Sequence, residues 1–181
     1  MRNRNHARTQ TDEVSLIGIP TEKEMHIILN ILKNKRGPMA VIECFQQIPC
    51  NVCETSCQFG AIRIGRPMTN LPDFDQAKCR GCGVCVSKCP GLAIFVIDMN
   101  YSPGEAAVSL PYEFLPLPRI GEKVQALNRY GKPICFGKIL KVASSENFDK
   151  THVITISVPK KHAMNARSIR IPKNMRKEIG S

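Results

Sequence analysis

Eight of the nine cysteines lie between Cys44 and Cys89, and their spacing is the part of this chain that could do chemistry. The run Cys79-x2-Cys82-x2-Cys85-x3-Cys89-Pro90 has the spacing with which bacterial chains hold a [4Fe–4S] cluster. Three thiolates two residues apart wrap one face of a cubane. Gly81 and Gly83 permit the backbone path that aims them. The fourth cysteine lies past a helical turn, points away from these three and reaches a second cluster. Pro90 fixes the chain direction beyond it.

The second cluster finds its remaining donors upstream. Cys50-x2-Cys53-x3-Cys57 matches the last three positions of the same run, and Cys44 stands six residues before Cys50. The longer loop Phe45-Gln46-Gln47-Ile48-Pro49 can still bring Cys44 to iron. Crossed ligation then assigns one cluster to Cys44, Cys50, Cys53 and Cys89, and the other to Cys79, Cys82, Cys85 and Cys57. Two zinc sites of four thiolates would use the same eight residues, and one cubane beside a degraded site is a further reading. The close triple spacing favours two cubanes, because zinc modules space two pairs widely. Cys135, in Pro133-Ile134-Cys135-Phe136, is expected to be a buried small hydrophobe. His6, His26, His152 and His162 have no ligand spacing among themselves.

The elements that must position these cysteines come in two similar halves. Met39–Ile42, the first cysteine loop and Ala61–Ile64 form one; Phe74–Ala77, the second loop and Ala93–Ile97 form the other. Each reads as strand, cysteine loop with a short helix, strand. Cys57-Gln58-Phe59-Gly60-Ala61-Ile62 aligns with Cys89-Pro90-Gly91-Leu92-Ala93-Ile94, a repeat of about 32 residues. Ile48, Val52, Phe59, Ile62, Val84, Leu92 and Ile94 are the apolar neighbours expected to keep water from the clusters.

Ahead of this module, residues 1–36 comprise a basic arm and a helix. Thr21-Glu22-Lys23-Glu24 is a capping box, and Met25, Ile28, Leu29 and Leu32 make an apolar stripe. Residues 37–100 are the cysteine module. Residues 101–118, rich in Pro and Gly, read as a linker or strap. Within 119–181, three strand-like runs (Lys123–Asn128, Ile134–Val142, Thr151–Val158), a possible fourth at Ser168–Ile171 and a basic tail suggest a small barrel-like β-domain.

Charge separates from chemistry. The chain of 181 residues carries 26 Lys+Arg and 15 Asp+Glu, formally +11. Residues 101–181 hold fourteen basic and six acidic groups, while 37–100 hold five of each. No run of 18 apolar residues offers a transmembrane helix, and the polar start lacks a secretory h-region. A cytoplasmic protein with metal-binding rather than disulfide cysteines is expected. Lys160, Lys161, Arg167, Arg170, Lys173, Arg176 and Lys177 raise nucleic acid as an alternative partner. With 6% aromatics and no Trp, no recognition motif accompanies them.

With these residues in place, residues 37–100 resemble the two-cluster bacterial ferredoxins. Two departures are the five-residue gap after Cys44 and Gln58 where that family has proline. The resemblance implies an α+β fold, a pseudo-twofold βαβ pair around two [4Fe–4S] clusters, and one-electron transfer. The order of helix, ferredoxin module and β-domain, with Gly121-Glu122-Lys123-Val124 through Arg129-Tyr130-Gly131, further resembles the iron–sulfur subunit of multisubunit flavin-dependent amine or amino-acid (proline-type) dehydrogenases. That implies a hetero-oligomer with a flavoprotein subunit carrying FAD or FMN, and an external electron acceptor. No catalytic residue of the chain's own is expected. There is no phosphate-cradling Gly-rich loop and no nucleophile–base pair.

Overall fold

A computed structural model describes residues 18–144 and 151–172. The basic arm, most of the apolar run at 14–19 and the C-terminal tail from Lys173 lie outside the described residues.

Helix α1, Glu22–Asn34, starts where the sequence places it. Thr21 Oγ1 accepts from Glu24 N–H (3.2 Å), and Thr21 N–H donates to Glu24 Oε2 (2.9 Å), satisfying two end donors reciprocally. Its apolar stripe turns inward: Leu32 is buried, while Met25, Ile28 and Leu29 pack at the edge of the core. Its end is tied down. Lys35 Nζ donates to the carbonyls of Gln76 (2.9 Å) and Cys79 (3.4 Å), and Asn100 Nδ2 donates to Lys35 O (2.7 Å).

The cysteine module follows the order strand, helix, strand, twice: β1 Met39–Ile42, α2 Val52–Ser56 and β2 Ile62–Arg63, then β3 Asp73–Phe74, α3 Val84–Lys88 and β4 Ile94–Asp98. β1 pairs antiparallel with β4, Met39 opposite Ile97, and β2 pairs with β3, Ile62 opposite Phe74. The two outer strands therefore meet, and the two inner ones form a second small sheet. β1 is buried throughout, as are the first four residues of β4, which matches their uninterrupted apolar sequences.

The remaining strands are β5 Glu105–Tyr112, β6 Lys123–Leu127, β7 Pro133–Ala143, β8 His152–Pro159 and β9 Ser168–Arg170. Together with β1 and β4 they make one seven-stranded sheet, ordered β1-β4-β5-β8-β7-β6-β9. The result is a mixed α+β arrangement with an antiparallel main sheet. Two expectations change here. Residues 105–112 are a strand inside the sheet rather than a linker, and the C-terminal strands continue the module's sheet rather than starting a separate barrel. The proline and glycine count hid an alternating pattern: Ala106, Val108, Leu110 and Tyr112 are buried while their neighbours are not. Pro111 is tolerated because β4 pairs with β5 only over Ala107–Ser109. At Pro111 the strand has lost that neighbour, so a missing N–H breaks no ladder bond on that side.

One core joins all of this. Leu32, Val41, Ile97, Val108, Leu110, Val124, Ile154 and Ile156 belong to a single buried cluster. Each fully buried aliphatic side chain contributes about 1.5–3 kcal/mol, so β5 and β8 bind the two parts of the chain firmly. Among the described residues no helix is long and apolar enough to cross a membrane.

Candidate metal centre

The eight cysteines gather in two groups of four. Cys44, Cys50, Cys53 and Cys89 line one cavity, together with Glu43, Ile48, Ile94 and Pro90. Cys57, Cys79, Cys82 and Cys85 line another, together with Phe59, Ile62, Gly81, Gly83 and Val84. Crossed ligation would draw on these same two sets. Cys135 lines neither; it sits in β7, half-buried against the core rather than fully buried as expected. The cysteines form no disulfide.

Local geometry places the two members of each pair in different cavities. Cys53 lies in α2 and Cys57 caps its C-terminal end; Cys85 and Cys89 stand in the same relation to α3. Four residues of helix advance the chain by about 6 Å, enough to carry a sulfur from one cavity to its neighbour. The cavities adjoin. Burial, then the nearby Cys89, Cys50 and Cys44, push the Cys53 thiol up to about 11. Burial, then Cys82, Cys79, Cys57 and Cys53, push Cys85 up to about 12. Cys53 thus faces its own group and is also felt by Cys85. Crowded, desolvated thiols of this kind hold their protons until a cation compensates the charge.

Backbone amides address the sulfurs directly. Ala40 N–H and Gly81 N–H donate to Cys79 Sγ (3.4 Å each), Ala61 N–H to Cys57 Sγ (3.3 Å), and Ala93 N–H to Cys89 Sγ (3.4 Å). The last two occupy equivalent places in the repeat. Each closes a short turn, Gly60 N–H to Cys57 O and Leu92 N–H to Cys89 O. Such bonds stabilise negative charge on sulfur and tune a cluster's potential.

The apolar surround is less closed than expected. Ile62 and Ile94 are buried, but Ile48, Phe59 and Leu92 are each more than 40% exposed. Their side chains lie on outward-facing loops, so the rims of the loops stay open to solvent or to a partner.

One group of residues near the first cavity escaped the sequence. Glu43, next to Cys44, has its side chain only 7% exposed and set between two arginines. Arg129 Nε donates to Glu43 Oε2 (2.9 Å) and Arg129 Nη2 to Oε1. Arg167 Nε and Nη2 both donate to Oε1 (3.1 and 2.7 Å). Burial pushes the Glu43 carboxyl up, but the hydrogen bonds and charges of Arg129 and Arg167 outweigh it and hold it below the usual carboxylate range. Arg167 also donates to the carbonyls of Ala163 and Ala166 and lies 4.4 Å above the Phe95 ring. Arg129 donates to Asn165 Oδ1 and Met164 O. Arg167 is therefore not one of the solvated basic groups its sequence position suggests. Removing one partner of such a buried pair costs about 3–5 kcal/mol. The only signal in the sequence is the adjacency of Glu43 to Cys44; its partners lie 86 and 124 residues away.

The donors fit the group their spacing implies. Four thiols around one cavity are the donor set of a [4Fe–4S] cluster. Among the described residues, no three His, Cys, Asp or Glu side chains converge as one metal ion requires.

Comparison with known proteins agrees in part. Residues 72–95 match the 4Fe-4S binding domain family. The chain is also 47% identical over 47 residues to a subunit of the ion-translocating oxidoreductase complex of Methanosarcina acetivorans. That match covers 26% of this chain and 17% of the relative. No solved structure matches the chain. The chain thus carries a ferredoxin-like iron–sulfur segment, and the likeness supports iron–sulfur electron transfer.

Proposed function

We propose that this chain is the iron–sulfur subunit of an oxidoreductase complex. It relays single electrons through two [4Fe–4S] clusters between a flavin-containing dehydrogenase partner and an electron acceptor. The observation that carries the reading is the sorting of eight cysteines into two adjoining cavities, four to each. When bound, each cubane takes up and passes on one electron at a time.

The chain's own residues do the rest. Cys44, Cys50, Cys53 and Cys89 hold the first cluster, and Cys79, Cys82, Cys85 and Cys57 the second. The amides of Ala40, Gly81, Ala61 and Ala93 hold charge on the sulfurs. Adjacency of the two groups through Cys53 and Cys85 supports serial transfer. The exposed rim residues Ile48, Phe59 and Leu92 offer apolar contact for partners. A multisubunit setting is in keeping with the relative, itself named as part of an oxidoreductase complex. A flavoprotein partner rests on the resemblance in domain order.

Anaerobic purification with iron and sulfide analysis and EPR after dithionite tests the clusters. About eight irons and eight sulfides per chain are expected; a colourless, zinc-only protein would overturn the reading. Copurification of the native complex tests the partner, with a bound flavin expected on an associated chain. A purified complex lacking flavin would remove the dehydrogenase assignment.

A further inference from the structure

The two cysteine groups differ in how their first member is held. Two residues separate Cys79 from Cys82 in a tight glycine loop, whereas five separate Cys44 from Cys50. The residue before Cys44 is anchored through both its backbone and its side chain. Glu43 N–H donates to Ala93 O (2.8 Å), and Ala93 N–H in turn donates to Cys89 Sγ, so the backbone ties Cys44 to another donor of its own group. The Glu43 side chain then reaches into the far part of the sheet, where Arg129 and Arg167 grip both its oxygens. Arg167 is itself held by two carbonyls and a ring, so the clamp is rigid.

We propose that Glu43, clamped by Arg129 and Arg167, is the positioning residue for Cys44, and that the clamp sets the occupancy and potential of the first cluster. This rests on the two-cluster reading above. The chemistry is specific. A carboxylate between two guanidiniums has its direction fixed by paired hydrogen bonds, and it passes that direction to the adjacent ligand. Two guanidiniums and one carboxylate also leave one buried positive charge beside the first cavity, which favours the reduced, more negative cluster.

The test uses the full chain reconstituted anaerobically with iron and sulfide. Cys44→Ser and Cys82→Ser give reference EPR spectra for each cluster alone. Glu43→Asp keeps the charge and shortens the arm by one methylene. Glu43→Leu with Arg129→Met and Arg167→Met removes the buried charge cluster altogether, leaving apolar groups of similar size. Iron content, EPR-monitored redox titration and melting temperature are read for all. In a folded variant, the first cluster's signal should fall to under half or its potential should shift, with the second cluster unchanged. Full iron with both potentials unchanged overturns the proposal. So does equal loss from both clusters in a folded protein, or failure of both Glu43 variants to fold, since either makes the clamp a general structural element. Loss of the two-cluster reading is seen separately, as a wild-type chain with no cubane signal or a Cys44→Ser variant with undiminished iron.

Discussion

Gly81 lies against Pro38 so closely that a Cβ on it would stand 2.6 Å from both the Cβ and the carbonyl oxygen of Pro38. The glycine also has φ +64°. The loop of Cys79 and Cys82 is thus packed onto the entry to β1 with no room for a side chain. Gly83, two residues on, has φ +84° but open space around it. Gly81→Ala should cost about 3 kcal/mol, the sum of left-handed backbone strain and overpacking, and should lower iron at the second site. Gly83→Ala should cost only the backbone part, about 1 kcal/mol. Urea midpoints and iron content of the two variants check this; equal costs would mean the Pro38 contact carries no weight.

Leu92 occupies the place in the second half of the repeat that Gly60 fills in the first. Both turns are left-handed, at φ +50° and +58°, and both precede an amide that bonds to a cysteine sulfur. Leucine bears the strain with an exposed side chain that packs little. Leu92→Gly should therefore stabilise the chain by about 1 kcal/mol, read as a rise in urea midpoint. A fall would show that the exposed leucine contributes more than its backbone costs.

Crossed ligation predicts a pattern of double variants. Cys57→Ser should remove the cluster shared with Cys79, Cys82 and Cys85. Adding Cys82→Ser should then cost no further iron beyond the first loss of about four per chain. Adding Cys53→Ser instead should remove nearly all of it. Cys135→Ser should retain both clusters. Iron analysis of the four purified proteins decides between crossed and uncrossed sets.

Thiol reactivity should follow burial in the iron-free chain. Cys82 is exposed, whereas Cys85 is buried and pushed up to about 12. At pH 8 a thiol so placed is thiolate in roughly one molecule in ten thousand. Because its pKa is raised, its reactivity should climb as pH rises toward that value. Iodoacetamide with peptide mapping should modify Cys82 at least about tenfold faster than Cys85 at pH 8. Comparable rates would mean that α3 opens when iron is absent.

Much of the candidate site was legible because it is local. Cys53 to Cys57 and Cys85 to Cys89 are each one helical turn, so their spacing alone anticipates that the two members of each pair line different cavities. The capping box at Thr21 and the strands from β6 to β9 were legible for the same reason, since hydrogen bonding within four residues or a period of two leaves a mark in the sequence. The strand at 105–112 was obscured by Pro103, Gly104 and Pro111, whose usual meaning depends on whether a neighbouring strand needs the missing N–H.

By itself the sequence pointed to eight cysteines as candidate iron ligands and to their grouping around two cavities, because covalent spacing and single turns set those distances. Only the tertiary structure decided that β5 and β8 join the outer strands of the cysteine module to the C-terminal strands in one sheet, and that Arg129 and Arg167 close on Glu43. Those pairings depend on sheet register across 86 and 124 residues. No local periodicity records such a distance, and a buried carboxylate between two arginines looks in sequence like three ordinary charges.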